Sequence, residues 1–173
     1  MHRDAFPDYY LPMFPPERIV CLTEETVETL YLLGEDRRIA GVSGYAVRPP
    51  RVRREKPRVS AFISADVPKI LALKPDLVLT FSDLQADIAA ELIRQGVALH
   101  AFNQRDVAGI FAMIRTLGAL VGAVSKADEL ARVADMGGQT GLLLRVSDTH
   151  YISYRAAADQ ALCQLPPAAL TGL

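Results

Sequence analysis

Short apolar runs and helical stripes alternate along the middle of the chain. Residues Leu77–Thr80 lack the two-residue alternation of a half-exposed strand, which predicts a strand buried on both faces. Residues 86–95 carry one apolar stripe at helical spacing, and Gly96 should end that helix. Residues 97–102 form a second apolar run. Two buried strands joined by a helix predict a right-handed parallel β-α-β unit.

The same alternation extends on both sides of this unit. Further strands are predicted at residues 18–22 and 38–42, and further helices at 24–33, 67–73, 106–121 and 125–136. Proline and glycine separate these elements; in Lys74-Pro75-Asp76 the proline disfavours helical backbone at the residue before it. The pattern therefore predicts an α/β fold, a Rossmann-like parallel four-stranded sheet flanked by helices on both faces.

The two ends of the chain lack this pattern. Residues 1–17 are predicted to form an irregular arm, because prolines interrupt them repeatedly. Residues 18–124 hold the α/β lobe, and residues 125–138 begin another helix that the pair Gly137-Gly138 should end. Residues 139–173 form an atypical tail, too short for a second set of strand-helix units.

Composition narrows the classes of function. Of the 173 residues, 50% are hydrophobic and 23% are charged, which is typical of a globular protein. The formal net charge of −1 argues against a nucleic-acid binder that relies on bulk charge. Cys21 and Cys163 have no metal-ligand spacing, and His100 is interpreted as a buried histidine of the fourth strand. Neither a metal site nor a resident cofactor is predicted.

The patterns typical of an enzyme do not occur in the sequence. There is no G-x-S-x-G nucleophile motif, and no glycine-rich loop follows the first strand. Thr23 is a candidate N-cap, and Glu24, Glu25 and Glu28 are interpreted as partners of the helix dipole and as surface charges. Glutamates at a helix N-terminus would repel a phosphate, so neither catalysis nor nucleotide binding is favoured.

Residues 48–58 concentrate positive charge. Five arginines and one lysine stand against a single acid, Glu55, and three prolines keep the backbone extended. The segment is interpreted as a solvated loop, with attraction of an anionic ligand or partner as the alternative.

The predicted strands end in polar and aromatic residues. These ends are Thr23-Glu24, Ser43-Gly44-Tyr45, Phe81-Ser82-Asp83 and Phe102-Asn103. Parallel strands bring their carboxyl ends to one edge, where ligands of such sheets bind. Aromatic residues at three of the four ends would supply stacking area for a flat or bulky ligand. The sequence thus predicts a ligand site that includes Thr23, Glu24, Tyr45, Ser82 and Asn103.

Three motifs resemble one known family, in their residues and in their order. They are Arg18–Thr23 with Thr26–Leu30, Gly41–Tyr45 followed by Pro49-Pro50, and Lys69–Val78, which reads KILALKPDLV. The same succession occurs in the cobalamin- and iron-chelate-binding proteins of ABC importers, the Fe/B12-type periplasmic binding proteins. The resemblance covers roughly residues 18–135, which corresponds to the amino-terminal lobe of a cobalamin-binding protein.

The resemblance implies a non-enzymatic substrate-binding protein for cobalamin or a related metal chelate in ABC-type uptake. Family members enclose the ligand between two α/β lobes joined by a long helix, and residues 125–138 resemble the start of that helix. By position in the family motifs, Tyr45, Phe62 and Phe81 correspond to aromatic residues that face the ligand. Two alternatives stay open: a small cytoplasmic α/β enzyme or nucleotide binder, and a truncated interaction remnant that does not bind.

The sequence departs from the family in three respects. Pro68 stands where the resemblance implies an acid that docks on arginines of the membrane permease. No second lobe is predicted from residues 139–173, and its absence would leave an apolar edge uncovered and favour a homodimer. Residues 1–17 lack a charged-then-apolar leader, so the chain as written is predicted to be cytoplasmic, or periplasmic if a leader has been lost.

Overall fold

Five parallel strands form the centre of the molecule. The computed structural model describes residues 14–139, 145–146 and 152–153. The strands of the sheet are β1 (Ile19–Cys21), β2 (Ile39–Ser43), β3 (Arg58–Ser60), β4 (Leu77–Phe81) and β5 (Leu99–Phe102). The helices are α1 (Glu24–Leu32), α2 (Val52–Glu55), α3 (Val67–Ala72), α4 (Ala86–Arg94), α5 (Val107–Leu120) and α6 (Val124–Gln139), with 3₁₀ turns at Asp36–Arg38 and Asp83–Gln85. The strand order is β3-β2-β1-β4-β5.

The predicted α/β class is confirmed, but the sheet has five strands where four were predicted. The additional strand, β3, begins in the basic segment 48–58, and so does the short helix α2. The segment is therefore not a loop throughout, but most of its basic side chains, including those of Arg51, Arg53 and Arg54, are exposed as predicted. Within β3 only Val59 is buried, and Arg58 is exposed. Such a short edge strand has no apolar run from which it can be recognised.

Helices cover both faces of the sheet, as predicted. On one face the buried side chains of Val27 in α1, Val52 in α2 and Ile114 in α5 belong to one apolar core. On the other face Ile70 of α3 and Leu92 of α4 pack with β1 and β4 in a second core. The strands β1 and β4, which contribute side chains to both cores, are therefore covered by helices on both faces, and this burial explains their apolar runs.

The helix α6 packs on α5 through small side chains. Ala123, Ala127 and Ala131 are buried at this contact. A Cβ atom built on Gly118 of α5 would lie 2.2 Å from the Cβ of Ala127, so only glycine permits this approach of the two helices. The helix extends through Gly137 and Gly138 to Gln139, one residue beyond the predicted bound of residue 138.

The two ends of the chain are described only in part. Within the tail, the two-residue strands Arg145–Val146 and Ile152–Ser153 pair antiparallel, apart from the main sheet. The rest of the predicted tail, and residues 1–13 of the predicted arm, lie outside the described residues. The division into lobe, inter-lobe helix and tail stays a prediction.

The LKPDLV motif anchors the amino end of the sheet. Asp76, which is 4% exposed, accepts hydrogen bonds from the backbone N–H groups of Glu17 (2.7 Å) and Arg18 (2.9 Å). The guanidinium of Arg18 donates in return to the carbonyl of Leu73 (2.9 Å from Nε). Lys74 adopts a positive φ of 49°, which turns the chain out of α3 and into β4. The motif thereby joins the start of β1 to the start of β4.

Candidate functional site

The carboxyl ends of the five parallel strands meet at one edge of the sheet, which we call the carboxyl edge. The strand register places Phe81 beside Phe102, and Ser43 beside Ser60. The predicted convergence of strand ends is confirmed, and the segment after β3 joins it.

Large apolar side chains are exposed along the carboxyl edge. Tyr45 is 60% exposed, Ile63 72%, Leu84 47% and Val107 41%. These four residues, which we call the apolar rim, follow β2, β3, β4 and β5 respectively. Apolar groups exposed together at one edge mark a surface that contacts a ligand or another protein.

Four of the predicted site residues reach the surface of this edge. Tyr45 and Asn103 are exposed, while Phe62 and Ser82 are partly buried. Phe62 packs against the core that contains α1 and α5. Tyr45 is the only one of these four that also belongs to the apolar rim, so it is the predicted residue best placed for ligand contact.

The other three predicted site residues lie at the same edge but below its surface. Thr23 is 1% exposed, Glu24 7% and Phe81 3%. The hydroxyl of Thr23 lies 3.1 Å from that of Thr26, and the Phe81 ring lies under the guanidinium of Arg105, 5.9 Å from its centroid. These positions suit residues that support a site from beneath, and their contact with a ligand stays a prediction.

Three carboxylates are buried at the N-terminal end of α1. Glu24, Glu25 and Glu28 are 7%, 8% and 8% exposed, so their interpretation as surface charges is wrong. Arg48 approaches two of them, with its Nε 3.5 Å from Glu24 and 3.9 Å from Glu28. Burial raises the pKa of Glu28 to about 7; Arg48 lowers it in part, and the two other glutamates raise it further.

Glu25 faces the segment that follows β5. Burial raises the pKa of Glu25 to about 7, against the opposing effects of its own backbone N–H and of the Thr23 hydroxyl. The amide of Gln104 lies close enough to lower this pKa by a small amount. Among the described residues, however, neither polar atom of the Gln104 side chain has a hydrogen-bond partner. The carboxyl edge therefore holds buried polar groups with unused hydrogen-bonding capacity.

Gln85 is a residue of this edge that sequence reasoning missed. It is 1% exposed, at the end of the 3₁₀ turn between β4 and α4. The apolar stripe of α4 begins only after it, and a single glutamine in a connecting segment predicts nothing by itself. The one signal near it is structural: Ser82 has a positive φ of 55°, which is rare for a residue other than glycine.

Within the described residues, no three His, Cys, Asp and Glu side chains are grouped so that they could hold a metal ion. No described helix is long and apolar enough to cross a membrane. His100 is partly buried with its ring 4.3 Å from that of Phe102, and burial lowers its pKa. Burial raises the pKa of Cys21 to about 12, which keeps the thiol protonated and unreactive.

Comparison with known families adds to this geometry. The family described as periplasmic binding protein matches residues 19–135. The chain belongs to this family. The matched residues include all five strands and the whole carboxyl edge, so the predicted family is confirmed.

The chain is similar to curated proteins and solved structures that are named as binding proteins. The chain is 29% identical over 121 residues to the uncharacterized ABC transporter substrate-binding lipoprotein YvrC of Bacillus subtilis, over 68% of the chain and 38% of that protein. It is 37% identical over 68 residues to a vitamin B12-binding protein of Vibrio cholerae, over 39% of the chain and 24% of that protein. The solved structure of the periplasmic vitamin B12 binding protein BtuF of Vibrio cholerae matches with a TM-score of 0.65 and 26% identity, over 75% of the chain and 52% of that structure. The chain thus spans about half of the length of the BtuF structure and smaller shares of the two curated relatives.

Proposed function

We propose that this lobe binds cobalamin or a related metal chelate at its carboxyl edge, as part of a substrate-binding protein of ABC-type uptake. The observation that carries the proposal is the apolar rim, which runs from β2 and β3 to β4 and β5. Strands of a sheet lie about 4.8 Å apart, so an edge of five strands is roughly 19 Å wide. That width and apolar character suit a macrocyclic ligand, whose flat ring can rest on Tyr45 and its neighbours.

The buried carboxylates beneath the rim favour cobalamin over haem. The amide side chains of a corrin donate hydrogen bonds, which the exposed side chain of Asn103 can accept. The propionates of haem would instead approach three buried glutamates, which Arg48 offsets in part. A like charge near a low-dielectric site is unfavourable, so anionic chelates should bind more weakly.

A binding role without catalysis agrees best with the chemistry of this edge. The first turn of α1, where a parallel sheet would bind a phosphate, carries Glu24 and Glu25. The two curated relatives are named as an ABC transporter substrate-binding lipoprotein and as a vitamin B12-binding protein, and both names describe binding. The alternatives of an enzyme or nucleotide binder, and of a remnant without a ligand, have no comparable support.

A single lobe should bind its ligand weakly. It supplies about half of the contacts of a two-lobed receptor, while the entropy cost of immobilising the ligand, several kcal/mol, stays the same. We therefore expect an affinity of roughly micromolar to millimolar, since each 1.4 kcal/mol changes the dissociation constant about tenfold.

Two partners complete the proposal. A second copy of the chain would cover the apolar rim and rebuild a closed cleft between two carboxyl edges. An ABC permease is the other partner, although Pro68 offers no charge where the family resemblance implies an acid, and docking should be correspondingly weak. The exposed Asp66, which caps α3 two residues earlier, is the nearest acid.

Titration of the purified protein with cobalamin and with haem, followed by absorbance and by sedimentation, tests the proposal. We expect saturable cobalamin binding, weaker haem binding, and ligand-dependent dimers. Tyr45→Ala should weaken cobalamin binding about tenfold, since it removes one aromatic contact of about 1.4 kcal/mol. Ile93→Ala removes an equally exposed apolar side chain from α4 (59% exposed) and serves as the matched control.

Two outcomes would contradict this function. One is the absence of saturable binding of either chelate to the folded native protein at millimolar concentration. The other is nanomolar binding by a strict monomer that Tyr45→Ala leaves unchanged, which would place the ligand away from the carboxyl edge.

A further inference from the structure

Gln85 makes hydrogen bonds with three separate parts of the carboxyl edge. Its Nε2 donates to the carbonyl oxygen of Leu22 (3.1 Å) and to that of Phe62 (2.8 Å). Its Oε1 accepts from the backbone N–H of Phe81 (3.0 Å). Both amide hydrogens and the amide oxygen are therefore used, and the orientation of the amide is fixed because two carbonyls need donors and one N–H needs an acceptor.

These three partners lie at or just after the ends of three strands that are not all neighbours in the sheet. Leu22 follows β1 and Phe81 ends β4, while Phe62 follows β3 at the far side of the sheet. In the order β3-β2-β1-β4-β5, two strands separate β3 from β4. The side chain of Gln85 thus fixes the distance between the end of β4 and the segment after β3, two strands that do not pair with each other in the sheet.

The backbone before Gln85 is strained in a way that delivers the side chain to this position. Ser82 has φ 55° and ψ −178°, a conformation that is costly for any residue with a Cβ. The N–H of Ser82 donates to the carbonyl of Phe102 (2.8 Å), and its hydroxyl accepts from the N–H of Leu84 (3.3 Å). The chain therefore reverses at once after β4, and Gln85 returns beneath Phe81.

The bond between Gln85 and Phe62 also holds two residues of the apolar rim. Leu84 precedes Gln85, and Ile63 follows Phe62. The 2.8 Å contact therefore keeps Leu84 and Ile63 at a fixed separation, although they follow different strands. This buried amide therefore links the segment after β3 to the segment after β4, which carry two residues of the rim.

We propose that Gln85 is the positioning residue of the ligand edge, which sets the relative placement of Phe62, Ile63, Phe81 and Leu84 for a macrocyclic metal chelate. The proposal rests on the proposed function. Gln85 itself does not touch the ligand, because it is 1% exposed. It acts through the backbone groups of its three partners, and its loss should change the fit of the ligand as well as the stability of the fold.

Gln85→Met tests this role, because methionine has a similar volume and length and cannot make the three hydrogen bonds. We expect the dissociation constant for cobalamin to rise at least tenfold, and the absorbance spectrum of the saturated complex to differ from that of the native complex. Gln95→Met is the matched control: Gln95 is exposed at the end of α4, bonds only to Glu91, and should leave both readouts unchanged. A folded Gln85→Met protein with native affinity and a native saturated spectrum would overturn the proposal.

Gln85→Glu keeps the test decisive if the methionine variant does not fold. A protonated glutamic acid retains the acceptor for Phe81 and one donor, whereas the carboxylate has no donor. Cobalamin affinity of this variant, relative to the native protein at the same pH, should recover as the pH falls from 8 to 5. A ratio that does not change with pH would contradict the positioning role.

A ligand-free measurement separates this inference from the proposed function. Amide hydrogen exchange should be faster in Gln85→Met at Phe81, whose N–H donates to Gln85, and at Asp66, whose N–H donates to the carbonyl of Val59 just before the Phe62 segment, while that of α5 stays native. If the native protein binds neither chelate but this local loss of protection occurs, the proposed function fails and the positioning of the edge by Gln85 stands. If exchange at both Phe81 and Asp66 stays native, the positioning role fails whatever the ligand.

Discussion

Buried carboxylates occur at both ends of the same sheet, with opposite consequences. At the amino end Asp76 is 4% exposed and accepts two backbone hydrogen bonds, at 2.7 and 2.9 Å. At the carboxyl edge Glu25 and Glu28 are each 8% exposed, and burial raises the pKa of both to about 7. Similar burial thus accompanies a carboxylate with two backbone hydrogen bonds at one end and carboxylates whose pKa is raised by burial at the other.

This difference distinguishes Asp76, which anchors the amino end of the sheet, from the glutamates of the candidate site. Backbone N–H groups that point at a carboxylate replace its lost water, so the charge of Asp76 stabilises the fold. The glutamates have a single nearby arginine, Arg48, and Oε2 of Glu28 has no hydrogen-bond partner among the described residues. Burial of charge without full compensation costs stability. Such a cost is expected where a ligand supplies the remaining partners.

Removal of the anchor should have the largest effect. Asp76→Ala leaves the N–H groups of Glu17 and Arg18 without their acceptor and releases the start of β1. We expect the free energy of unfolding to fall by about 3 kcal/mol, as for the loss of two hydrogen bonds to a charged group. Urea denaturation with a constant m value measures this change.

Asp87→Ala is the control for this prediction, because Asp87 is exposed in the first turn of α4. It should cost under about 1 kcal/mol, the worth of an acid near a helix N-terminus. Equal losses in the two variants would show that the amino-end hydrogen bonds contribute nothing beyond the charge.

The amino end of the sheet is also the part that the sequence predicts best. The runs at Ile19–Cys21 and Leu77–Phe81 are buried on both faces, so their composition directly reflects their position. The LKPDLV motif is local, with its turn at Lys74 and its acid at Asp76 only two residues apart. Local signals of this kind can be recognised in a single sequence.

The carboxyl edge was predicted only in outline. The convergence of strand ends follows from parallel topology, and Tyr45 was placed there correctly. The strand β3 was missed because only Val59 of its three residues is buried. The burial of Glu24, Glu25 and Glu28 and the contacts of Gln85 depend on partners distant in sequence, such as Arg48 and Phe62. No periodicity in one chain reveals such contacts.

The buried glutamates should make stability fall as the pH rises, which is the next largest effect. Their pKa values of about 7 in the folded protein lie above the ordinary value of 4.5, so the folded state binds more protons between these limits. The contribution of these two groups to the free energy of unfolding is greatest below pH 4.5 and is lost as the pH rises through about 7. Glu25→Gln should remove this penalty and stabilise the protein by about 2 kcal/mol at pH 8, with little change at pH 4.5.

Thermal or urea unfolding of Glu25→Gln and Glu28→Gln across pH 4.5–8 measures the effect. Asp135→Asn, on the exposed side of α6, removes one carboxylate without burial and should leave the slope of stability against pH native. A native slope in both glutamine variants would mean that the two acids are fully compensated in the folded protein, and the contrast with Asp76 would disappear.

Relief of backbone strain should have the smallest effect on the free energy of unfolding. Strained residues occur at both the amino end and the carboxyl edge of the sheet, so the two ends can be compared again. Lys74 and Ser82 are the two non-glycine residues with positive φ in the described part of the chain, one before β4 and one after it. Ser82→Gly should raise the free energy of unfolding by about 1 kcal/mol, because glycine adopts φ 55° and ψ −178° without the Cβ clash. Ser64→Gly, an exposed position outside those with positive φ, should instead lower it by about 0.5 kcal/mol through the greater freedom of the unfolded chain.

Ligand affinity then distinguishes strain that serves the site from strain that only turns the chain. Lys74→Gly changes the amino end, far along β4 from the apolar rim, and should leave cobalamin affinity native. Ser82→Gly loosens the reversal that carries Leu84 and Gln85, so it should weaken binding severalfold even as it stabilises the fold. A stabilised Ser82→Gly protein that binds cobalamin as tightly as the native chain would show that the strained turn contributes nothing to the site, and that the two ends differ only in how their carboxylates are solvated.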